Sequence, residues 1–209
     1  MSHDDFKFEP VRGLPEALPP GEVILWQGEP APWRLARESL ALYWVAGYFA
    51  LLAVWRVGVS STEMPLVQAL PQAIPFVVVG VVACAILYLL ALIQAKSTVY
   101  TLTNKRVGMR IGAALTMTLN LPYTQIEDAG LDLRPSGHGT IAFALKGDTR
   151  FSYILCWPHV KPWRIRKVEP ALRCIPDAQR VAEIFAEAAE ARVAEPKLTL
   201  VQPTAMAAE

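Results

Sequence analysis

Apolar positions run without a charge over 73–93 (AIPFVVVGVVACAILYLLALI), a stretch of 21 residues. At about 1.5 Å rise per residue such a helix reaches about 30 Å, the thickness of a bilayer core. A second apolar run, 40–55 (LALYWVAGYFALLAVW), lies just upstream and is lengthened by Leu35, Ala36, Val57 and Val59, with Arg34, Arg37 and Arg56 placed to snorkel to the interfaces. The pattern predicts a transmembrane helical hairpin over 39–95. Its loop, 56–72, carries Pro65 and Pro71, which are expected to stop either helix from running through.

Beyond residue 96 the pattern changes to short runs rich in β-branched and aromatic residues. Strands are expected at 97–102 (STVYTL), 106–111 (RVGMRI), 115–121 (LTMTLNL), 125–133, 139–145 and 151–156. Turn residues separate them, among them Pro135-Ser136-Gly137 and Lys146-Gly147-Asp148. Six strands at this spacing suggest a small barrel or sandwich. Pro176 and a capping Asp177 then introduce a helix whose Ala178, Val181, Ala182, Ile184, Phe185, Ala188 and Ala189 share one apolar face. That face needs a sheet to cover. The organisation expected is an N-terminal segment (1–38), the hairpin (39–95), a β domain with its C-terminal helix (96–194) and a flexible tail (195–209).

Charge sharpens this picture. The net charge is +1, yet 96–175 holds 12 basic and 5 acidic residues while the flanking 1–38 and 176–209 are each net −3. Arg34 and Arg37 before the first span and Lys96, Lys105, Arg106 and Arg110 after the second, against only Arg56 and Glu63 in the loop, place both termini in the cytoplasm by the positive-inside bias. Trp33, Tyr43, Trp44 and Trp55 fall where aromatic rings prefer the headgroup level. Lys105, Arg106 and Arg110 are candidate membrane-headgroup contacts, since anionic lipid attracts basic residues near its surface. A pI of 7.7 without a recognised motif argues against nucleic acid as partner. The opening residues have neither a basic n-region nor an apolar h-region, so no cleaved signal is expected.

Candidate chemistry is sparse. Cys84, Cys156 and Cys174 have no metal-ligand spacing, and in a reducing compartment no disulfide is expected. His138 reads as a turn residue. His159, in the tract WPHVKPW (157–163), reads either as a packed loop histidine bonded to a backbone carbonyl or as part of a partner-binding patch with Trp157, Pro158 and Trp163. No nucleophile, base and acid group together, and Gly137–Thr140 lacks the lysine context of a phosphate loop, so catalysis is not expected. Neither a metal nor a cofactor is expected.

A β-barrel closed by one C-terminal amphipathic helix is the pleckstrin-homology (PH) architecture, and the tracts YTLTNKRVGMRIG, LPYTQIEDA and GHGTIAF resemble the bacterial membrane-anchored version of that domain. The fold class expected is thus an α+β membrane protein, a two-helix transmembrane hairpin followed by a PH-like β-barrel. The leader GLPEALPPGEVILWQGEPAPWRLA, the two spans, WPHVKPW and LRCIPDAQRVAEIFAEA together resemble the PuhB family of photosynthetic complex assembly proteins of purple bacteria, from Gly13 to about Arg192.

That resemblance implies a non-catalytic assembly factor of the bacterial inner membrane, cytoplasmic or intracytoplasmic. Its partners would be reaction-centre and core antenna subunits and membrane lipids, with homo-oligomerisation left open. Antenna polypeptides usually hold pigment through a histidine inside the span; neither span here contains one, so pigment binding is not expected. The alternative is a lipid-sensing protein that uses the basic PH-like domain.

Overall fold

Two helices long and apolar enough to cross a membrane dominate the N-terminal half of the computed structural model, which describes residues 11–112, 115–147 and 151–194. A short strand β1 (Ile24–Gly28) and helix α1 (Pro32–Glu38) precede them. Helix α2 spans Leu42–Ser60. After a brief connection come α3 (Leu66–Ala69), a 3-10 turn (Leu70–Ala73) and α4 (Ile74–Ser97). The expected loop therefore contracts. Arg56 lies inside α2, and the chain is helical from Leu66 to Ser97 straight past Pro71. Pro71 stands in the first turn of the 3-10 segment, as Pro75 does in α4, where a missing N–H removes little hydrogen bonding.

The two long helices pack against each other and leave most of their apolar surface outward. Gly80 sits at their contact, where a Cβ would lie 2.7 Å from the Phe49 Cβ. Only a residue without a side chain lets the backbones approach this closely.

Among the described residues seven strands form two sheets, and two of these strands lie outside the expected runs, one in the leader and one just before the C-terminal helix. β2 (Val99–Thr103), β3 (Arg106–Ile111) and β4 (Met117–Pro122) form an antiparallel meander, and β1, from the leader, pairs with β2 to complete a four-stranded sheet in the order β1-β2-β3-β4. A 3-10 turn at Tyr123–Gln125 leads into a second antiparallel sheet of β5 (Ile126–Leu133), β6 (Gly139–Leu145) and β7 (Ala171–Ile175). Among the described residues no ladder joins the two sheets, so the expected closed barrel is replaced by two separate sheets. The run 151–156, expected as a strand, holds a single helical turn, α5 (Tyr153–Cys156), closed by Cys156 N–H to Ser152 O at 3.1 Å and Trp157 N–H to Tyr153 O at 2.9 Å. A short apolar run does not distinguish the two conformations by periodicity.

Helix α6 (Ala178–Ala194) covers the sheets as its apolar face requires. Asp177 precedes it with φ 48°, and its carbonyl accepts the Val181 N–H at 3.1 Å. Phe185 meets Tyr123 at 5.4 Å and Phe143 at 5.1 Å between ring centroids, so one helical side chain packs on both the 3-10 turn that connects the sheets and β6 of the second sheet. The core is continuous across Tyr100, Leu102, Val107, Met109, Ile141, Phe143, Leu172 and Ile175. The leader covers the opposite face of the first sheet: Leu14 is buried, and its Cδ2 lies 3.3 Å from where a Cβ on Gly108 would be. The residues read as a separate N-terminal segment thus supply an edge strand and a cover to the β domain. The tail 195–209 and Asp148 lie outside the described residues.

Candidate functional site

The polar side chains that burial brings together lie where α4 runs into β2. Only Thr98 separates the two elements, and its hydroxyl donates to Gln94 O at 2.7 Å. With that proton committed, the Thr98 oxygen can only accept from the His159 Nε2 lying 3.1 Å away. The other ring nitrogen, Nδ1, is 2.6 Å from the Tyr100 hydroxyl, whose oxygen also accepts the Arg173 backbone N–H at 3.2 Å. Donor accounting therefore closes in one way: His159 is neutral, carries its proton on Nε2 and accepts from Tyr100.

Electrostatics agree with this assignment. Burial, assisted by the nearby Arg173 charge, lowers the His159 pKa to about 3. Burial likewise holds the Tyr100 hydroxyl far above the ordinary phenol range. Both groups keep one protonation state near neutrality and act as fixed hydrogen-bond partners.

Arg173 extends the junction toward the first apolar helix. Its Nη1 donates to Val160 O at 3.1 Å and its Nη2 to Ser39 Oγ at 2.9 Å, while its buried Nε has no partner. Helix α1 is wedged alongside: Leu35 packs with Ala95 of α4 and Cys174 of β7, and Ala31 N–H donates to Cys174 O at 2.9 Å. The Cys174 thiol, pushed up to about 12 by burial and then by the Glu38 carboxylate, points to Glu38 Oε2 at 3.7 Å. Burial raises the Cys156 thiol as well, so both cysteines are protonated and weakly reactive. Among the described residues no group of three or more His, Cys, Asp and Glu side chains is arranged to hold a metal ion.

The structure separates the four residues of the WPHVKPW patch. His159 and Pro158 are buried, Trp157 is partly exposed and Trp163 is 91 % exposed. His159 is thus unavailable to a partner, and its ring bonds to two side-chain oxygens where a backbone carbonyl was expected. His138 is a half-buried turn residue with Nδ1 3.2 Å from Ser136 O.

The three basic candidates also depart from expectation. Lys105 and Arg106 lie at the end of the β2–β3 hairpin remote from α4, and both turn onto the leader: Lys105 Nζ donates to Pro20 O at 3.3 Å, and Arg106 Nε lies 2.8 Å from Glu22 Oε1. Arg110, opposite Val99 in the ladder, is buried. Asn104 completes the clamp, accepting from Val23 N–H at 3.0 Å and donating to Gly21 O at 2.9 Å. The Thr-Asn-Lys-Arg tract thereby has a physical role, which is to hold residues 20–23 against the sheet.

Comparison with known proteins fits this architecture. Residues 40–189 match the bacterial PH domain. The chain belongs to the bacterial PH domain family. It is also 44 % identical over 200 residues to a Rhodobacter capsulatus protein described as the 23.7 kDa protein in the puhA 5′ region, covering 95 % of this chain and 94 % of that one. No solved structure matches the chain.

In this bacterial PH domain the matched range begins after β1, so the strand that completes the first sheet lies outside it. Glu22, Thr98, Tyr100 and Arg173 are structural residues that sequence reasoning passed over. Two of them carried a signal. Arg173 is a charge inside the apolar run ALRCI, and Glu22 is a lone carboxylate before the apolar VILW.

Proposed function

We propose that this protein is a non-catalytic integral membrane assembly factor for the photosynthetic reaction centre and core light-harvesting complex. It is multi-pass in the bacterial inner membrane, with both termini cytoplasmic. The observation that carries this reading is the whole-chain likeness to the Rhodobacter capsulatus protein of the puhA 5′ region, because the puh designation is the one borne by the family that the leader, the spans and the WPHVKPW tract resemble. The geometry supports it in two ways. Helix α4, at 24 residues, is about 36 Å long, enough for a bilayer core, and its outward apolar surface calls for lipid or neighbouring spans. The junction of α1, α4, β7 and His159 couples those helices to the β domain, so that a contact made in the membrane is held in a set orientation to one made in the cytoplasm.

Headgroup sensing through Lys105, Arg106 and Arg110 has less support. Two of these side chains are engaged by the leader and the third is buried.

Deletion of the gene in its host is the test. Assembled reaction centre and core antenna in the membrane should fall, while transcripts for their subunits, bacteriochlorophyll supply and respiratory growth stay near normal. Normal levels and a normal assembly rate in the deletion strain would overturn the reading.

A further inference from the structure

A second apolar surface lies outside the long helices, on the tract from α5 to Ile165. Ile154 is 84 % exposed, Trp163 91 % and Ile165 67 %, with Leu155 and Trp157 beside them. These side chains stand on a fixed frame. Val160 bridges to Pro170, Lys161 N–H donates to Glu169 O at 2.9 Å, and Cys156, His159 and Val160 of the same tract are buried. Trp163 also has φ 65°, a conformation that bulky L-residues rarely adopt. A backbone outlier that holds an indole out in the open points to a functional constraint on that side chain.

Position identifies what meets this surface. Tyr153, Trp157 and Trp163 share a cavity of about 240 Å³ with Glu38, Ser39 and Ala41, the residues that lead into α2. At the same end of α2, Trp33 stacks edge-on with Tyr43 and Tyr88, and Trp44 is exposed. The tract therefore continues the aromatic ring at the cytoplasmic end of the hairpin. Exposed Arg166 suits an anionic leaflet, and the neighbouring Arg164 and Lys167, also exposed, pair with Glu169 at 3.5 Å and Glu127 at 3.4 Å.

We infer that residues 153–167 insert into the headgroup layer of the membrane that α2 and α4 cross, with Ile154, Trp163 and Ile165 as the inserting side chains. The β domain is then held down on the cytoplasmic leaflet at two places, the hairpin and this tract. The inference rests on the reading of α2 and α4 as spans, and it assigns Trp157 and Trp163 to lipid in place of a protein partner.

Full-length protein reconstituted in vesicles of phosphatidylcholine and phosphatidylglycerol tests it. Cys84 is replaced by alanine, and an environment-sensitive fluorophore is attached at one introduced cysteine: Ile154→Cys, Trp163→Cys or Ile165→Cys in the tract, Val79→Cys in α4, and Leu133→Cys on β5 as an exposed reference. Lipids brominated near the headgroup should quench the tract probes at least about twofold more than the Leu133 probe, while lipids brominated deep in the chain should quench the Val79 probe most. Quenching at Val79 with tract probes no different from Leu133 would overturn the inference and leave the spans standing. Absence of quenching at Val79 would overturn both. Tract probes that become shielded only when reaction-centre subunits are added would overturn it in favour of a protein-binding surface.

Discussion

Glu22 and Arg106, 84 residues apart in sequence, meet at 2.8 Å, and the same Glu22 oxygen accepts the Thr103 hydroxyl at 2.8 Å. The carboxylate is almost wholly buried whereas the Arg106 side chain is 27 % exposed, so loss of the acid strips Arg106 of its partner and leaves the Thr103 hydroxyl only the Arg106 carbonyl at 3.1 Å. Glu22→Ala should destabilise the protein by about 2 kcal/mol. It should also speed proteolysis of the leader. In a double-mutant cycle with Arg106→Ala the two losses should be less than additive, read from denaturation midpoints in detergent. Strict additivity would mean that the pair contributes nothing.

Acidification should weaken the junction before most carboxylates titrate. His159 has a folded pKa of about 3 against an ordinary 6.5, so the unfolded chain binds a proton that the folded one refuses throughout that window. The contribution is complete above pH 6.5 and is lost as pH falls toward 3, at up to about 1.4 kcal/mol per pH unit. Melting temperature should accordingly drop between pH 6.5 and 5. In His159→Gln, which offers a donor and an acceptor but does not titrate, that drop should shrink; an unchanged profile would place the proton elsewhere.

Gly80 should tolerate no large side chain. Gly80→Leu drives a Cβ and more into Phe49, so α2 and α4 must separate. Overpacking of this kind costs about 1–3 kcal/mol. The variant should show a lower melting temperature in detergent and a longer distance between spin labels on the two helices. Phe49→Ala in the same chain should restore part of the loss by making room.

Orientation can be read by labelling. In the full chain with Cys84 replaced, Ser61→Cys, just past α2, should react with an impermeant maleimide in intact cells, and Ser136→Cys, in the β5–β6 turn, only after lysis. Cys156 and Cys174 should stay unlabelled in both cases, since each is buried with a raised thiol pKa. Labelling of Ser136→Cys from outside would reverse the topology.

Several elements were legible from local pattern alone. Long uninterrupted apolar runs identify α2 and α4 because helix length and hydropathy are properties of contiguous residues. Alternation and turn residues locate β2 to β6 within a residue or two, and the apolar face of α6 reads directly from its 3.6-residue period. What periodicity cannot show is which surface covers which. β1 lies in a proline-rich leader and is a strand only because β2 offers it an edge, and β7 is short and carries Arg173, whose two Nη atoms bond to Val160 and to Ser39, 134 residues away. The same limit explains the basic and aromatic residues. Sequence places Lys105, Arg106, His159 and Trp163 in the domain that follows two long apolar helices, but only tertiary contacts turn Lys105 and Arg106 onto the leader, bury His159 and leave Trp163 outside, because burial and hydrogen-bond partners are set by segments that meet across distances in the chain that no local pattern encodes.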